Sequence, residues 1–283
     1  MSNPSIGLER SRSAPESQAI AASTTQATAA DLPRVSIVIP TRNERANIGR
    51  LLEGLDHAFR HVDAEVLFVD DSDDGTADEV RERTASTLLP VRVVHRRLGE
   101  RAGGLGTAVK LGFSRARAPW ALVMDGDLQH PPEAAAAVAT CALTEQVDLV
   151  IGSRYEPGGA ADGLSKTRLV ASRGAHLLAK AMFPVRLGAI SDPLSGLFAV
   201  RLASVDTDLL EPDGFKVLME ILLQTPRIRP AEVAFRFEGR RAGESKADRK
   251  EALAYLALLA RRRLEPAPAR VVRYQPAPTV AVA

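Results

Sequence analysis

The feature that most constrains the fold of this chain is a regular alternation of short apolar runs and amphipathic stretches in its first half. The runs at residues 34–39, 65–69, 91–94 and 121–124 consist mainly of apolar and often β-branched residues. Runs of this length and composition are typical of strands buried in a parallel sheet. Alternating strands and helices predict an α/β fold, with a mostly parallel central sheet flanked by helices on both faces.

Polar residues follow three of these four runs, at the points where the predicted strands end. They are Pro40 with Thr41, Asp70 with Asp71, and Asp125 with Asp127. In open parallel sheets, ligands bind beyond the carboxyl ends of the strands. We therefore expect the three polar clusters to form one site at one edge of the sheet.

The acidic pair Asp125 and Asp127 is separated only by Gly126 and comes directly after an apolar run. Two carboxylates in that position repel each other and resist burial unless something pairs with them. A divalent cation such as Mg²⁺ is a suitable partner, because it prefers hard oxygen ligands and often binds one or two carboxylates together with substrate phosphates. Gln129 could add a neutral oxygen. A surface turn with solvated acids is the alternative that these residues alone leave open.

The second half of the chain departs from the regular alternation. The stretch from Asp148 to Tyr155 resembles a strand that leaves the sheet, and the spacing of apolar residues predicts a helix from Lys166 to about Phe183. A short apolar helix is expected over 217–223 and a last strand over 229–237. The helix predicted over 250–263 ends in three consecutive arginines.

Composition divides the chain into four segments. Residues 1–33 are rich in Ser, Thr, Ala, Gln and Pro, and residues 265–283 are rich in Pro and Ala. Such segments cannot bury enough apolar surface to fold, so we expect two disordered tails. One α/β domain is expected over 34–247, followed by an amphipathic helix over 248–264.

Composition also argues against several classes of protein. The 283 residues have a formal net charge of only +2, so no overall basic field indicates a nucleic-acid partner. A single cysteine, Cys141, excludes an intramolecular disulfide framework and a cysteine-rich metal site. The sequence contains neither an apolar run of about 18 residues nor an apolar signal core, which favours a cytoplasmic location.

A series of short motifs occurs in a fixed order between about Arg34 and Lys246. The motifs are VSIVIPTRNE, VDDSDDGT, GGLGTA, MDGDLQHPPE, GSRY, SRG and RAGESK. Together they resemble the family 2 glycosyltransferases of GT-A fold, most closely the dolichol-phosphate or polyprenyl-phosphate mannose synthase branch. Any one motif is weakly specific, whereas the ordered set is strongly specific.

The resemblance implies residues for the nucleotide-sugar donor and for a metal. The donor nucleotide would contact Pro40, Thr41, Asn43, Glu44, Asp70, Asp71, Gly104 and Gly106. The metal, Mg²⁺ or Mn²⁺, would bind Asp125, Asp127 and Gln129. A carboxylate in a nucleotide pocket accepts hydrogen bonds from ribose hydroxyls or base N–H groups. Gly104 and Gly106 match neither a Walker loop nor a dinucleotide fingerprint. Their alternative role is to form the turn at which a helix begins.

The resemblance also implies a site for the phosphate of a lipid acceptor. Its residues would be Arg154, Arg168, Ser172, Arg241 and Lys246. Arg168 and Ser172 are four residues apart on a predicted helix and so share one face. A guanidinium and a hydroxyl on one face suit a phosphate monoester better than a neutral sugar. Asp125, Asp127, Arg154 and Arg168 are the expected catalytic residues.

These residues predict metal-dependent transfer of a hexose to a polyprenyl monophosphate with inversion, most simply of mannose from GDP-mannose. A phosphate acceptor is already anionic near neutral pH, so the reaction needs no general base. Two alternatives stay open: transfer of glucose or an amino sugar from a UDP-sugar, and a nucleotide-sugar-binding protein without turnover. A processive polysaccharide synthase is disfavoured, because the chain has no Q-x-x-R-W motif, and an NAD-dependent oxidoreductase because the glycine fingerprint is missing.

A lipid acceptor has to be reached without a predicted membrane span. The helix at 250–263, with Leu253, Leu256, Leu259 and a basic end, could lie on an anionic membrane surface. Four apolar residues near the end of the helix predicted from Lys166 could also contact a membrane surface: Leu177, Met182, Phe183 and Val185. For each segment, packing in the core is the alternative. The expected partners are thus a nucleotide sugar, a polyprenyl phosphate and either a membrane surface on its cytoplasmic side or a separate membrane protein.

Overall fold

A computed structural model describes residues 32–161, 166–210, 216–239 and 249–264. Seven strands form one sheet within these residues, in the order β3-β2-β1-β4-β6-β5-β7. The strands are β1 Val35–Thr41, β2 Ala64–Asp70, β3 Val91–His95, β4 Trp120–Val123, β5 Leu149–Ser153, β6 Phe198–Arg201 and β7 Pro230–Ala234. The tails expected over 1–33 and 265–283 lie almost wholly outside the described residues.

Helices cover both faces of the sheet. They are α1 Arg45–Ala58, α2 Thr76–Arg83, α3 Gly104–Arg115, α4 Pro132–Thr144, α5 Lys166–Met182, α6 Pro184–Leu187, α7 Val217–Gln224 and α8 Arg249–Leu264. Apolar residues of α1 and α4 form one core with one face of the strands, and those of α3 and α7 form a second core with the other face. Cys141 of α4 is buried in the first core. The predicted α/β fold with helices on both faces is therefore confirmed.

The sheet is mostly parallel, with one reversed strand. β1 pairs in parallel with β2 and β4, β2 with β3, and β5 with β7. β6 runs antiparallel to both β4 and β5. The expectation that the stretch after Asp148 leaves the sheet is wrong, because all five residues of β5 are buried between β6 and β7. An uninterrupted apolar run is what a strand covered on both faces requires.

Two glycines position α3 at the carboxyl edge of the sheet. Gly112 packs directly on Val38 of β1, and a Cβ there would overlap the valine side chain. At the start of the helix, Gly104 has φ 56°, a left-handed conformation that glycine adopts without strain. The glycine-rich motif thus brings the amino-terminal turn of α3 to the sheet edge where the polar clusters lie.

Helix α8 packs on α5 through only part of its surface. Tyr255, Leu258 and Leu259 are buried, and the Tyr255 hydroxyl donates a hydrogen bond of 2.7 Å to the carbonyl of Ala175. Leu253 and Leu256 face solvent instead, with 67% and 48% of their surface exposed. Within the described residues, no helix is both long and apolar enough to cross a membrane.

The carboxylate of Glu65 joins three strands at the amino edge of the sheet. It accepts hydrogen bonds from Ser36 of β1 and Arg92 of β3, and from the N–H of Arg117 before β4. Burial opposes ionisation of this carboxyl, but the hydrogen bonds outweigh it and hold its pKa below the ordinary value of 4.5. A lowered pKa contributes stability that is present at neutral pH and is lost as the pH falls through the folded-state pKa.

The change Glu65→Gln is therefore expected to lower the free energy of unfolding by about 1–3 kcal/mol at pH 7, since it weakens hydrogen bonds to a charged group. The difference from the wild type should shrink below about pH 4.5, the ordinary pKa of this side chain. Urea unfolding of both proteins at several pH values measures it. A difference that is equally large at low pH would contradict the assignment.

Candidate active site

A cleft of about 170 Å³ opens at the carboxyl ends of β1 and β4. Segments that are distant in the sequence contribute to its lining, which includes Pro40, Asp125, His130, Arg154, Gly196 and Phe237. Pro40, Asp125 and Arg154 were all predicted as site residues. The structure therefore brings one member of the predicted donor group, one of the metal group and one of the acceptor group to a single cleft.

The acidic loop after β4 is tightly folded. Asp127 is only 4% exposed, and its Oδ1 accepts a 3.1 Å hydrogen bond from the N–H of Gln129. Leu128 between them has φ 63°, a left-handed conformation that costs a non-glycine residue about 1–2 kcal/mol. Gln129 is anchored in turn, because its Nε2 donates to the carbonyl of Glu238 at 3.2 Å. Backbone strain that the surroundings hold in place is common at binding and catalytic sites.

His130 orients Asp125 and was not singled out from the sequence. Its Nδ1 accepts a 3.1 Å hydrogen bond from the N–H of Asp125, so the neutral ring has its proton on Nε2. The ring packs against Phe235 and Phe237 at centroid distances of 5.6 and 5.5 Å. Burial lowers the pKa of His130 and favours this neutral form. The histidine stands inside the MDGDLQHPPE motif, which was the available signal.

The loop fits a divalent cation by its donor set. Asp125 and Asp127 supply carboxylates, and anchoring of the Gln129 nitrogen leaves the amide oxygen as the end that can bind a ligand. Among the described residues, no cluster of three or more Asp, Glu, His or Cys side chains could hold a metal by itself. Two carboxylates with an amide oxygen match Mg²⁺ or Mn²⁺ when phosphate oxygens of a substrate complete the coordination.

The ends of β1 and β2 are joined by hydrogen bonds around Asp70. This fully buried carboxylate accepts from Thr41 Oγ1 at 2.8 Å and from Ser72 Oγ at 2.5 Å, and it lies 2.7 Å from Nδ1 of His95. Asn43 has φ 59° and binds the same loop through its backbone N–H to Ser72 and its Oδ1 to the N–H of Asp73. These hydrogen bonds join the segment after β1 to the loop after β2, where the donor nucleotide is predicted to bind.

Asp71 is held by an arginine that was not considered from the sequence. Arg96 is 4% exposed and donates to both Asp71 oxygens, at 2.7 and 2.6 Å. The same guanidinium donates to the carbonyl of Gly104 and to Thr107 Oγ1. Arg96 thus ties the loop after β2 to the first turn of α3. Such a four-way contact between distant segments has no local sequence signal.

Glu44 does not line the cleft, although its side chain lies beside Gly126, the residue between the two aspartates of the acidic loop. It lines a separate groove of about 750 Å³ between α1 and α2, and its carboxylate accepts from Nδ2 of Asn47 at 2.7 Å. Gly106 is buried within the first turn of α3. That any of these residues contacts a nucleotide stays a prediction.

The predicted acceptor residues are only partly described. Arg154 pairs with Asp192, and Ser172 of α5 lies 3.3 Å from the hydroxyl of Tyr155, the residue after Arg154. The two segments thus meet beside the cleft. The side chain of Arg168 and all of Arg241 and Lys246 lie outside the described residues, so their contribution stays a prediction.

Sequence comparison identifies relatives along most of the chain. The model of glycosyl transferase family 2 matches residues 36–207. The dolichol-phosphate mannosyltransferase of Pyrococcus furiosus is 39% identical over 224 residues, which are 79% of this chain and 62% of that protein. This chain therefore spans less than two thirds of the length of that relative. The dolichol-phosphate mannosyltransferase of Saccharomyces cerevisiae is 34% identical over 235 residues, 78% of this chain and 84% of that protein.

Solved structures show the same fold at lower identity. Mannosyl-3-phosphoglycerate synthase from Rubrobacter xylanophilus superposes with a TM-score of 0.56 at 21% identity, over 82% of this chain and 74% of that one. Glucosyl-3-phosphoglycerate synthase from Mycobacterium tuberculosis, solved with Mn²⁺, UDP and phosphoglyceric acid, gives a TM-score of 0.63 at 22% identity, over 83% and 80%. The GT-A fold predicted from the motifs is confirmed, and the chain belongs to glycosyl transferase family 2.

Proposed function

We propose that this chain transfers mannose from GDP-mannose to a polyprenyl monophosphate, with inversion at the anomeric carbon and release of GDP. The observation that carries the proposal is that Asp125 and Arg154 line one cleft at the carboxyl edge of the sheet. An acidic loop suits the cation that accompanies a sugar diphosphate, and a buried guanidinium suits an anionic acceptor. The names of the relatives from Pyrococcus furiosus and Saccharomyces cerevisiae give the substrate class for those proteins.

On the donor side, Asp125, Asp127 and Gln129 would hold Mg²⁺ or Mn²⁺. The bound cation would supply charge neutralisation on the departing nucleoside diphosphate. The role of the chain is to keep the two carboxylates in place, through the His130 contact to the Asp125 N–H and the turn that joins Asp127 to Gln129. Pro40, Thr41, Asn43 and Asp70 would contact the nucleotide.

On the acceptor side, Arg154 would orient the phosphate of the lipid. A phosphate oxygen attacks the anomeric carbon while the bond from that carbon to the donor diphosphate breaks, and no proton has to be removed. A phosphate monoester loses its second proton near pH 6, so the nucleophile is anionic at neutral pH. Holding two such reactants in line is the main contribution that positioning residues make to the rate.

We propose a membrane surface as the third partner, because exposed leucines lie on the helix that carries Ser172 and on its neighbour. Leu177 of α5 is 66% exposed, and Leu253 and Leu256 of α8 are 67% and 48% exposed. Two of the three arginines in the last turn of α8, Arg261 and Arg263, are exposed, which favours an anionic surface. Apolar side chains beside basic residues are what an interfacial helix presents to a bilayer.

In flotation with anionic phosphatidylglycerol vesicles, the wild-type protein is expected to rise with the vesicles. The triple change Leu177→Ser, Leu253→Ser and Leu256→Ser should leave most of it at the bottom of the gradient. A matched control, Leu88→Ser with Leu98→Ser, removes leucines that are 84% and 80% exposed elsewhere in the fold and should float normally. Wild-type protein that stays at the bottom would contradict direct contact and favour a separate membrane protein.

The proposed reaction is tested by transfer of label into a product that partitions into organic solvent. GDP-mannose, UDP-glucose and UDP-N-acetylglucosamine are each incubated with polyprenyl phosphate, with Mg²⁺, with Mn²⁺ or with EDTA. We expect a labelled lipid from GDP-mannose that disappears with EDTA. If only a UDP-sugar gave a labelled lipid, the protein would still transfer a sugar to the lipid phosphate, but its donor would be that UDP-sugar and not GDP-mannose. No product from any donor would contradict the proposed function.

A further inference from the structure

We propose that Asp192 is a positioning residue that fixes the guanidinium of Arg154 for the acceptor phosphate, and that it takes no part in proton transfer. This inference rests on the proposed function and names a residue that the motif comparison did not. Asp192 belongs to the turn before β6, and Arg154 directly follows β5. The two residues are 38 positions apart in the sequence.

The two side chains meet in a fork. Arg154 Nε donates to Asp192 Oδ2 at 2.7 Å, and Nη2 donates to Oδ1 at 2.9 Å. The backbone N–H of Arg154 also donates to Oδ2, at 3.3 Å. Asp192 is fully buried, and the Arg154 side chain is 11% exposed. A bidentate pair of this kind defines the plane and direction of the guanidinium as well as its charge.

Aromatic rings hold the same guanidinium from its faces. Its central carbon lies 5.4 Å from the ring centroid of Tyr155 and 5.5 Å from that of Phe237. Asp192 occupies the Nε edge, so the Nη1 end is the part of Arg154 that remains for the cleft it lines. Among the described residues, the Arg154 side chain donates hydrogen bonds only through Nε and Nη2, both to Asp192. A phosphate can accept hydrogen bonds from the remaining guanidinium N–H groups.

The turn that carries Asp192 is itself fastened to β7. The Glu232 carboxylate accepts from the N–H and the hydroxyl of Ser191, at 2.7 and 2.6 Å, and from the N–H of Asp192 at 3.2 Å. Ser191 also contacts the hydroxyl of Ser153, the last residue of β5. The turn that carries Asp192 is therefore held by Glu232 of β7 and, through Ser191, by Ser153 of β5. Groups held in this way do not need to reorganise when the substrate binds.

Asp192 is badly placed to act as a base. Both of its carboxylate oxygens are engaged by Arg154, it has no exposed surface, and it does not line the cleft. A general base must reach the proton that it removes, directly or through one water. The arrangement is consistent with an acceptor that arrives already ionised, and it assigns Asp192 an effect on acceptor binding through Arg154.

The test is a double-mutant cycle of Asp192→Asn, Arg154→Lys and the double variant. Asparagine keeps the shape of Asp192 but can no longer accept both hydrogen bonds of the fork. We expect Asp192→Asn to raise the KM for the acceptor by about 10²-fold, the scale associated with a misplaced orienting group. The KM for the donor and kcat at saturating acceptor should stay close to wild type. In the Arg154→Lys background, which has already lost the fork, the same substitution should change the acceptor KM far less.

The control is the matched ion pair at the other end of β5. Asp148 binds Arg229 through the same two guanidinium nitrogens, at 2.7 and 3.1 Å, but here the arginine side chain is 59% exposed. Asp148→Asn should leave the acceptor KM unchanged. Binding of citronellyl phosphate, a short prenyl monophosphate, is measured by calorimetry for all variants in parallel, because this readout does not require turnover.

The outcomes separate the two proposals. The positioning role would be overturned if Asp192→Asn lowered kcat without changing the acceptor KM, both in the wild type and in the Arg154→Lys protein. Equal binding of citronellyl phosphate by wild type and Asp192→Asn would overturn it as well, and so would no binding by the wild type. If no donor yields a lipid product but Asp192→Asn weakens the binding of citronellyl phosphate, the proposed transfer fails and the positioning role stands.

Discussion

The change Asp127→Asn is expected to lower kcat for sugar transfer by about 10²–10³-fold or more, the range seen when a group that stabilises transition-state charge is removed. Asp127 is 4% exposed and accepts from the N–H of Gln129, a contact that asparagine can keep. The fold should therefore survive while the second carboxylate for the cation is lost. Initial rates at saturating substrates measure the effect, and thermal unfolding checks the fold.

The matched control for this change is Asp78→Asn. Asp78 is a surface carboxylate on α2 with its side chain 74% exposed, where it pairs with Arg81. This variant should have the kcat of the wild type. A rate for Asp127→Asn within severalfold of the wild type would remove the acidic loop from the mechanism.

The second large effect is expected on stability, from Arg154→Ala. Removing the arginine leaves the fully buried Asp192 carboxylate without the partner of its fork. Breaking a buried ion pair in this way costs about 3–5 kcal/mol, because an uncompensated charge stays in the interior. Chemical denaturation at pH 7 measures the loss.

Two comparisons test the reason for this loss. The double change Arg154→Ala with Asp192→Ala removes both charges and should be more stable than Arg154→Ala alone. Arg229→Ala breaks the equivalent fork at the surface, where the arginine side chain is 59% exposed, and should have a much smaller effect. An Arg154→Ala protein as stable as wild type would show that the buried pair contributes nothing to the fold.

The fold was largely predictable because its signals are local. The four apolar runs of the first half became β1 to β4, and the polar clusters after them stand at the same edge of the sheet. Period and composition determine where such strands begin and end. β5 was misjudged because its apolar run does not indicate which strands lie beside it. Its neighbours are β6, which runs antiparallel, and β7, about 80 residues away.

The site was predictable where residues belong to a continuous motif and not where they support one another across the sheet. Asp125 and Arg154 were identified from their motifs and line the same cleft. Arg96 and Asp192 were missed, because each acts on a residue 25 to 38 positions away. A single sequence contains no signal for such a pairing. The buried charge alone requires a partner, and only the folded chain shows which one.

The acceptor is predicted to be a phosphate and not a hydroxyl. This prediction is tested most directly by giving the protein labelled GDP-mannose with either a polyprenyl monophosphate or the free polyprenol of the same chain length, and determining the product by mass spectrometry. We predict one hexose added to the phosphate lipid, with GDP released in equal amount, and no product from the alcohol. Transfer to the alcohol, or GDP release that is independent of the phosphate lipid, would contradict a phosphate acceptor.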